Sequence, residues 1–225
     1  MKFRFGLALA AVLLMPSVAD ADGKKGLYTR AMFNYSIAED ITVFGSNNGG
    51  GDISLKGGLG GELALGKVFG AKKNFAAELE FGASYFDADE ATPTSGFGQS
   101  TASVDAQGDA LVYTGMINAI YSFKAKKVNP YVGIGVGAAF VDVSDASVTS
   151  TTETFSVSDF APAAQALVGL AIPVGKKGLA VDIGYKYRVI GDLADAAGLT
   201  NVSGNNVKTR YIPTHNILVG LRYNF

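Results

Sequence analysis

Apolar and polar residues alternate with period two along three long segments of this 225-residue chain. In residues 75–85 (FAAELEFGASY), every second residue from Phe75 to Tyr85 is apolar or aromatic, and Ala, Glu, Gly and Ser fill the positions between. Residues 179–189 and 215–225 repeat the alternation. Because successive side chains of a strand point to opposite faces, each segment predicts a β-strand with one apolar face.

Weaker versions of the same pattern predict five further strands. They lie at residues 27–37, 55–69, 111–123, 131–141 and 163–173. Each segment is close to the 9 to 11 residues that a tilted strand needs to cross a bilayer. Eight strands are an even number, so both chain termini are expected on the same side.

The predicted connections are of two kinds that alternate strictly along the chain. Three are short and contain a Lys-Lys pair, at residues 70–74, 124–129 and 174–178. Four are long and rich in Ser, Thr, Gly, Asn and Asp, at roughly residues 39–53, 86–109, 142–161 and 191–211. Short periplasmic turns and long extracellular loops are typical of outer-membrane barrels. The pattern predicts an all-β fold, an eight-stranded antiparallel up-and-down transmembrane β-barrel with both termini in the periplasm.

Periodicity alone also permits a soluble, lipocalin-like barrel with its apolar faces inward. Two sets of residues favour outward apolar faces. The opposite face is rich in glycine, which suits a crowded interior: Gly58, Gly60, Gly82, Gly133, Gly135, Gly137, Gly169, Gly184 and Gly220. Aromatic residues cluster near strand ends, as expected for girdles at two membrane interfaces: Tyr28, Phe69, Phe75, Tyr85, Tyr113, Tyr121, Phe123, Tyr131 and Tyr223.

The N-terminal residues have the features of a secretory signal peptide. Lys2 and Arg4 form a basic region, residues 5–15 are apolar, and Ala19-Asp20-Ala21 is an A-x-A cleavage site. The apolar stretch is shorter than the roughly 20 residues of a membrane-spanning helix. We therefore expect a signal peptide over residues 1–21 and a barrel domain over residues 22–225.

Composition excludes several classes of function. The chain has 19 basic and 20 acidic residues, and its formal net charge of −1 gives no argument for nucleic-acid binding. It contains no cysteine, which excludes disulfides, thiol redox centres and zinc sites built from cysteine. The glycine runs at residues 57–61 and 133–137 lack the lysine and hydroxyl residue of a phosphate-binding loop. No cofactor or metal is predicted.

The C-terminal residues resemble a known signal. A terminal aromatic residue with apolar residues at every second position resembles the motif read by the outer-membrane assembly machinery: Ile217, Val219, Leu221, Tyr223 and Phe225. Residues 130–137 (PYVGIGVG) resemble a mid-barrel strand of the same group. With the signal peptide and the strand count, the chain is similar throughout to small eight-stranded outer-membrane proteins, namely the OmpA transmembrane domain, OmpX and opacity-type surface antigens. OmpA continues into a peptidoglycan-binding domain, whereas the last predicted strand ends this sequence, so cell-wall tethering is not expected.

The predicted lumen contains charged residues on the inward faces of the strands. The alternation places five cations and four carboxylates inside: Arg30, Lys56, Lys186, Arg188 and Arg222 with Glu62, Glu78, Glu80 and Asp182. An unpaired buried charge is expensive, and an eight-stranded barrel is only wide enough for side chains to fill. The residues therefore predict a polar plug, meaning a set of paired charges that closes the lumen. The alternative is a gated, narrow conduit for water, ions or small solutes, with room left by glycines in the second and fifth strands.

The long loops are the expected sites of interaction, because binding residues tend to lie on loops held by a rigid scaffold. Their acidic residues far outnumber their basic ones, and divalent cations could bridge them to lipopolysaccharide phosphates. The expected role is that of a surface protein that stabilises the envelope or acts in adhesion or as a surface antigen. No loop motif identifies a host or surface ligand.

Catalysis has little support in the sequence. The single histidine, His215, is in phase with the lipid-facing positions near the outer interface, and no serine lies two residues further on the same face. A histidine-dependent lipid hydrolase needs a nucleophile and an orienting acid beside the histidine. We expect His215 to be an interfacial polar residue, and we expect no enzymatic activity.

Overall fold

The computed structural model describes residues 26–39, 41–45, 50–55, 57–70, 74–94, 104–123, 125, 127–148, 155–175, 178–191, 207–209 and 211–225. These residues form eleven strands: β1 (Leu27–Ala38), β2 (Ile41–Gly45), β3 (Gly50–Leu55), β4 (Gly58–Phe69), β5 (Phe75–Thr94), β6 (Val104–Ser122), β7 (Asn129–Val148), β8 (Phe155–Pro173), β9 (Leu179–Ile190), β10 (Val207–Thr209) and β11 (Ile212–Asn224). In this described part of the chain, no helix is long and apolar enough to cross a membrane.

Eight of the strands close into a barrel. Antiparallel pairs join β1, β4, β5, β6, β7, β8, β9 and β11 in that order. The ring is closed between β11 and β1, with a register that runs from Tyr28↔Asn224 to Ala38↔Thr214. Each strand pairs with its neighbours in the chain order of the eight, so the predicted up-and-down barrel is confirmed. We call the end with Leu27, the short connections and Phe225 the turn end, and the opposite end the loop end.

Four neighbouring barrel strands are much longer than the sequence predicts. Strands β5 to β8 have 20, 19, 20 and 19 residues, whereas β1, β4, β9 and β11 have 12 or 13. The predicted loops at residues 86–109 and 142–161 were therefore wrong in part. Backbone pairing continues past the apolar alternation, for example at Ala91↔Val104 and Ala146↔Phe155. A polar strand can be held by its ladder alone, and such a strand carries no periodic hydrophobic signal.

Two other predicted loops also contain strands. Strands β2 and β3 form a hairpin within residues 39–53, and β3 pairs with the loop-end part of β5. Strand β10, within residues 191–211, pairs with β2. The second barrel strand begins at Gly58 rather than at residue 55, because Leu55 belongs to β3. The wall of the barrel therefore rises above the shorter strands on the side of β3 and β5 to β8.

Side chains alternate between a buried lumen and an exposed outer face. On β1, Arg30, Met32 and Asn34 are buried, whereas Phe33 and Tyr35 are exposed. The most exposed large apolar side chains all point outward: Ile117 (63%), Ile134 (69%), Val136 (66%) and Phe160 (70%). A soluble barrel would bury this surface, so the lipocalin-like alternative is wrong. The apolar outer surface is the one that a lipid environment requires.

Aromatic side chains lie at both ends of the outer face. At the turn end the Phe75, Tyr121 and Phe123 rings meet edge to face, and at the loop end Phe140 lies 4.7 Å from Phe160 between ring centroids. Tyr28 and Tyr131 are exceptions to the predicted girdles. They are 1% and 2% exposed, because they share the inward phase of their strands. Both belong to the lumen.

Candidate functional site: the charged lumen

The lumen brings together eight of the nine charged residues that the alternation placed inside. They come from β1, β4, β5, β9 and β11, and each is at most 8% exposed: Arg30, Glu62, Glu78, Glu80, Asp182, Lys186, Arg188 and Arg222. The ninth, Lys56, lies outside the described residues. The eight consist of four cations and four carboxylates, so their formal charges balance.

The first group, which we call the Glu80 cluster, contains Glu62, Glu80, Lys186 and Arg188. Lys186 Nζ lies 2.6 Å from Glu62 Oε2 and 2.7 Å from Glu80 Oε1. Arg188 Nη2 lies 3.1 Å from Glu62 Oε1 and 3.2 Å from Glu80 Oε1. Each cation therefore contacts both carboxylates, which come from the opposite side of the barrel wall, and the four side chains span the lumen.

Two neutral side chains complete the hydrogen bonding of the Glu80 cluster. Asn118 Nδ2 donates to Glu80 Oε2 (3.0 Å) and to Glu78 Oε1 (3.1 Å). Gln165 Nε2 donates to Glu80 Oε1 (3.2 Å), and Gln165 Oε1 accepts from Arg188 Nε (3.0 Å). Asn118 and Gln165 are absent from the predicted network because only charged side chains were expected to form it. Their inward phase on β6 and β8 was the signal that could have found them.

The second group, which we call the Arg222 cluster, contains Tyr28, Arg30, Glu78, Tyr131, Asp182 and Arg222. Arg30 Nη2 lies 2.6 Å from Glu78 Oε1, and Tyr28 Oη donates to Glu78 Oε2 (2.9 Å). Tyr131 Oη accepts from Arg30 Nη1 (3.2 Å). Arg30 Nη2 also lies 3.7 Å from Glu80 Oε2, which connects the two clusters.

Arg222 is held less tightly than the other cations of the lumen. Its Cζ lies 4.7 Å from the centre of the Tyr28 ring and 5.0 Å from that of Tyr131, so the guanidinium rests on two aromatic faces. Its Nε is 2.9 Å from Asp182 Oδ2 without hydrogen-bond alignment, and its Nη2 is buried without a hydrogen-bond partner. Asp182 has a better-aligned partner in Tyr131, whose Oη donates to Oδ1 at 2.6 Å.

Apolar side chains lie on both sides of the charged layer. Along β6, Asn118 stands between Met116 and Ile120, and along β8, Gln165 stands between Ala163 and Leu167. The loop-end apolar layer is formed by Met116, Ala139, Val141, Ala161, Ala163, Ile190 and Ile212. The turn-end layer is formed by Ala76, Ile120 and Leu167, which pack with the rings of Tyr28 and Tyr131, whose hydroxyl groups belong to the Arg222 cluster. Ion pairs screened from water in this way interact more strongly than exposed pairs, and they cost more to break.

The space beside the inward glycines is occupied by side chains. A Cβ atom on Gly135 would overlap Asn118 Oδ1, and one on Gly169 would overlap the hydroxyl end of Tyr131. On the second barrel strand, a Cβ atom on Gly60 would overlap Asn34 Oδ1. The expectation that glycines of the second and fifth strands leave room for a conduit was wrong at Gly60 and Gly135. Glycine is needed there because a large neighbouring side chain or backbone approaches closely.

The five residues of the predicted assembly motif lie on the outer face of the closing strand or directly after it. They are between 41% and 55% exposed: Ile217, Val219, Leu221, Tyr223 and Phe225. The Tyr223 and Phe225 rings meet edge to face with centroids 5.0 Å apart. The backbone N–H of Phe225 donates to Leu27 O (3.0 Å), which joins the last residue to the first strand.

His215 also lies on the outer face, near the loop end, and it has two partners that the sequence did not indicate. Its Nδ1 lies 2.5 Å from Tyr185 Oη, and its Nε2 lies 2.9 Å from Glu39 Oε1. Glu39 is 176 residues away in the sequence, so no local pattern could predict this contact. Among the described residues, no group of three or more His, Asp or Glu side chains is placed to hold a metal ion.

Sequence comparison decides the family. A model of the outer membrane protein beta-barrel domain matches residues 5–225. The chain belongs to this family. No curated protein sequence matches it.

Solved structures show the same fold in other members of the outer-membrane barrel class. Neisserial surface protein A, from Neisseria, is 14% identical, with 89% of this chain and 98% of that chain covered and a TM-score of 0.55. OprG from Pseudomonas aeruginosa is 13% identical, with 90% and 97% covered and a TM-score of 0.53. The outer membrane protease OmpT from Escherichia coli is 8% identical, with 93% and 100% covered and a TM-score of 0.47. At these identities the first two likenesses show the fold alone, and the third, with its lower TM-score, carries no argument.

Membership of the outer membrane protein beta-barrel domain family shows which environment the outer surface of the barrel faces. The exposed apolar side chains of the barrel face the lipid of the outer membrane, and the charged lumen is enclosed within the membrane-spanning wall. The candidate site of this family member is therefore an internal network of ion pairs.

Proposed function

We propose that this outer-membrane barrel is a surface protein with a closed lumen, whose role is structural and interactive, without catalysis. The observation that carries this proposal is the Glu80 cluster. Its two cations and two carboxylates join opposite walls with four N–O distances between 2.6 and 3.2 Å. A solute would have to separate these pairs in order to pass, and separating them leaves buried charges without partners.

The proposal includes an orientation and a route of export. The turn end, with the chain termini and the basic short connections, lies in the periplasm, and the loop end lies outside. Residues 1–21 act as a signal peptide that is cleaved near Ala21. The assembly machinery recognises the apolar outer side chains of residues 217–225. These assignments are supported by the sequence motifs and by the outward position of the C-terminal side chains.

The loop end is the proposed interaction surface. Strands β5 to β8 carry it beyond the shorter strands, and its outer face bears exposed carboxylates such as Asp87 and Asp109. Asp109 Oδ1 accepts a hydrogen bond of 2.5 Å from Tyr85 Oη. An acidic surface at the outer leaflet suits contact with lipopolysaccharide through divalent cations, and with a host or surface ligand of positive charge. It repels nucleic acid.

Conductance of the purified, refolded protein in planar bilayers tests the closed lumen. We expect no steady ion current from the wild-type barrel, and we expect the Glu80→Ala variant, which loses one of the two carboxylates of the cluster, to show brief openings. The folded state is verified on the same sample by the change in gel mobility on boiling. A steady current from wild-type barrels that pass the gel test would overturn the proposal in favour of the narrow conduit.

Location is tested separately. Cell fractionation is expected to recover the protein in the outer membrane, without residues 1–21, and surface proteolysis of whole cells is expected to cut the loop end only. Recovery in the soluble periplasm, or cleavage at the short connections from outside, would contradict the proposed orientation.

A further inference from the structure

Buried polar atoms without a hydrogen-bond partner are concentrated in the Arg222 cluster. Among the described residues, five buried side-chain nitrogen or oxygen atoms lack a partner, and four of them belong to this cluster. The four atoms are Arg30 Nε, Arg222 Nε, Arg222 Nη2 and Asp182 Oδ2. The fifth atom is Thr114 Oγ1, and none of the five belongs to the Glu80 cluster. The Arg222 cluster therefore has hydrogen-bonding capacity that its own side chains leave unused.

The three residues that carry these atoms lie next to one another at the seam of the barrel. Arg30 of β1 and Arg222 of β11 are directly opposite in the register, and both are buried in the lumen. Asp182 of β9 is opposite Gly220, the inward position beside Arg222. The Cζ atoms of Arg30 and Arg222 lie 5.8 and 5.0 Å from the centre of the Tyr131 ring. Two guanidinium groups and one carboxylate therefore border the same part of the lumen.

The unpartnered atoms define the chemistry of a ligand at this place. Three are guanidinium nitrogens, which only donate hydrogen bonds, and one is a carboxylate oxygen, which only accepts them. Asp182 Oδ2 lies 2.9 Å from Arg222 Nε without hydrogen-bond alignment, so both atoms keep the capacity for another bond. A water molecule accepts from the nitrogens and donates to the oxygen. An ordered internal water typically makes about three such bonds to buried polar groups.

An inorganic anion fits this place less well than water does. The cluster contains two cations, Arg30 and Arg222, and two carboxylates, Glu78 and Asp182, so its formal charges balance. An added anion would leave one charge without compensation inside the membrane-spanning wall, where burying a charge is expensive. Water bonds the same donors without adding charge.

The turn end offers solvent a way to this cluster. The Arg222 side chain is 9% exposed, whereas those of Arg30 and Arg188 are 4% exposed and that of Lys186 is 2% exposed. Arg222 lies two residues before the last residue of β11, at the turn end. Along β9, Asp182 is likewise nearer the turn end than Lys186 and Arg188. The Arg222 cluster is therefore the part of the charged lumen that solvent at the turn end meets first.

We propose that Arg30, Arg222 and Asp182 form an internal water-binding site that is filled from the turn end of the barrel. Water bonds the guanidinium nitrogens that the tyrosine rings and Asp182 leave without an acceptor, and it exchanges with the solvent at the turn end. The Glu80 cluster, whose charges are paired with one another, ends its path. This last step rests on the proposed closed lumen, whereas the water site itself does not.

The Nε–H groups of the arginines report on this water directly. The barrel is refolded with 15N-labelled arginine in detergent micelles, and each Nε–H signal is assigned from Arg30→Lys, Arg188→Lys or Arg222→Lys. Arg188 is the internal control, because its Nε donates to Gln165 Oε1 at 3.0 Å. We expect magnetisation transfer from water to the Nε–H groups of Arg30 and Arg222 and none to that of Arg188. Proton exchange with solvent should be at least about tenfold faster at Arg30 and Arg222, because a bonded, buried N–H exchanges only after local opening.

Substitution of two inward alanines tests the route of the water. Ala180 is opposite Arg222 at the turn end, and Ala163 belongs to the loop-end apolar layer; they are 3% and 5% exposed. Ala180→Leu should narrow the turn-end mouth and slow proton exchange at Arg222 towards the rate of Arg188. Ala163→Leu, the matched control, should leave that exchange unchanged. Ala180→Val replaces Ala180→Leu if the larger side chain abolishes the mobility change on boiling.

Several results would overturn the water site or its route. If Arg30 and Arg222 receive no magnetisation from water and exchange as slowly as Arg188, the cluster binds no water. A shift of the Arg222 Nε–H signal when gluconate replaces chloride would show an anion in place of water. Slower exchange in Ala163→Leu than in Ala180→Leu would show entry from the loop end. A steady conductance of the wild-type barrel would overturn the closed lumen alone, so failures of the two proposals are distinguishable.

Discussion

The two charged clusters of the lumen stabilise their buried charges by different kinds of contact. In the Glu80 cluster, Lys186 and Arg188 each contact two carboxylates, and amide side chains take up the remaining bonds. In the Arg222 cluster, aromatic faces replace part of the ionic contact, and Arg222 Nη2 has no hydrogen-bond partner. The Glu80 cluster is therefore a network of shared ion pairs. The Arg222 cluster consists of separate ion pairs with additional contacts to tyrosine rings and hydroxyl groups. The unfolding free energy of the barrel should depend much more on the Glu80 cluster than on the Arg222 cluster.

The largest effect is expected from Glu80→Ala. This change removes a carboxylate that serves Lys186 and Arg188 together, and removing one partner of buried charges costs about 3–5 kcal/mol. Urea unfolding of the barrel in lipid vesicles, followed by the gel-mobility change on boiling, measures the loss. The exposed Asp87→Ala is the matched control, with an expected change below about 0.5 kcal/mol. Equal unfolding free energies for the two variants would show that the ion pairs of the Glu80 cluster do not stabilise the barrel.

A direct comparison of the clusters comes from their arginines. Arg188→Met leaves Glu62 and Glu80 with one cation between them, and we expect a loss of about 3 kcal/mol. Arg222→Met leaves Asp182 with its hydrogen bond from Tyr131, so about 1–2 kcal/mol is expected. The same unfolding measurement applies to both variants. If Arg222→Met costs as much as Arg188→Met, the distinction between the clusters is wrong.

Close packing around the Arg222 cluster is tested by Gly169→Ala. The added methyl group would overlap the hydroxyl end of Tyr131, and overpacking of this kind typically costs about 1–3 kcal/mol. Gly115→Ala is the control, because its Cβ atom would lie 3.7 Å from the Phe81 ring, an ordinary contact. Unfolding midpoints of the two variants are compared. Tolerance of Gly169→Ala would mean that Tyr131 can move and that the lumen retains free space.

The smallest expected effect is that of Tyr28→Phe. The variant keeps the aromatic face beneath Arg222 and loses only the hydrogen bond to Glu78, which also bonds Arg30. A loss of about 0.5–1.5 kcal/mol in unfolding free energy is expected, the range of a single typical hydrogen bond, because Glu78 keeps its contacts with Arg30 and Asn118. Combining it with Arg222→Met tests whether the Tyr28 hydroxyl and the Arg222 guanidinium contribute independently, since the hydroxyl bonds Glu78 and not Arg222. The two losses should then add within about 0.5 kcal/mol.

Much of the lumen could be predicted from alternation alone. Arg30, Glu62, Glu78 and Asp182 were placed inside by their phase, because a strand has no other way to direct alternate side chains. Tyr28 has the same phase as Arg30, yet its aromatic character and its position near a strand end suggested the outer girdle. The error arose because residue type was given more weight than phase. In a barrel this narrow, phase decides the face.

The partners within the lumen could not be predicted in the same way. Lys186 and Glu62 are 124 residues apart, and Arg188 and Glu80 are 108 apart. They meet because closure of β11 on β1 sets the curvature and stagger of the wall. The long polar ends of β5 to β8 were also missed, since backbone pairing holds them without an apolar face. The sequence places His215 on the outer face, but it does not indicate Tyr185 and Glu39 as its partners, because they meet only where the barrel closes.

The sequence by itself determined the number of barrel strands, the alternating phase of the side chains on each of them, and the alternation of short and long connections. These follow from period two and from local turn composition, which act over a few residues. Only the tertiary structure decided which charges pair, how far β5 to β8 extend, and that the space beside glycines such as Gly135 and Gly169 is filled. Those features depend on distances across a closed ring, and a ring is closed only when all of its strands are in register.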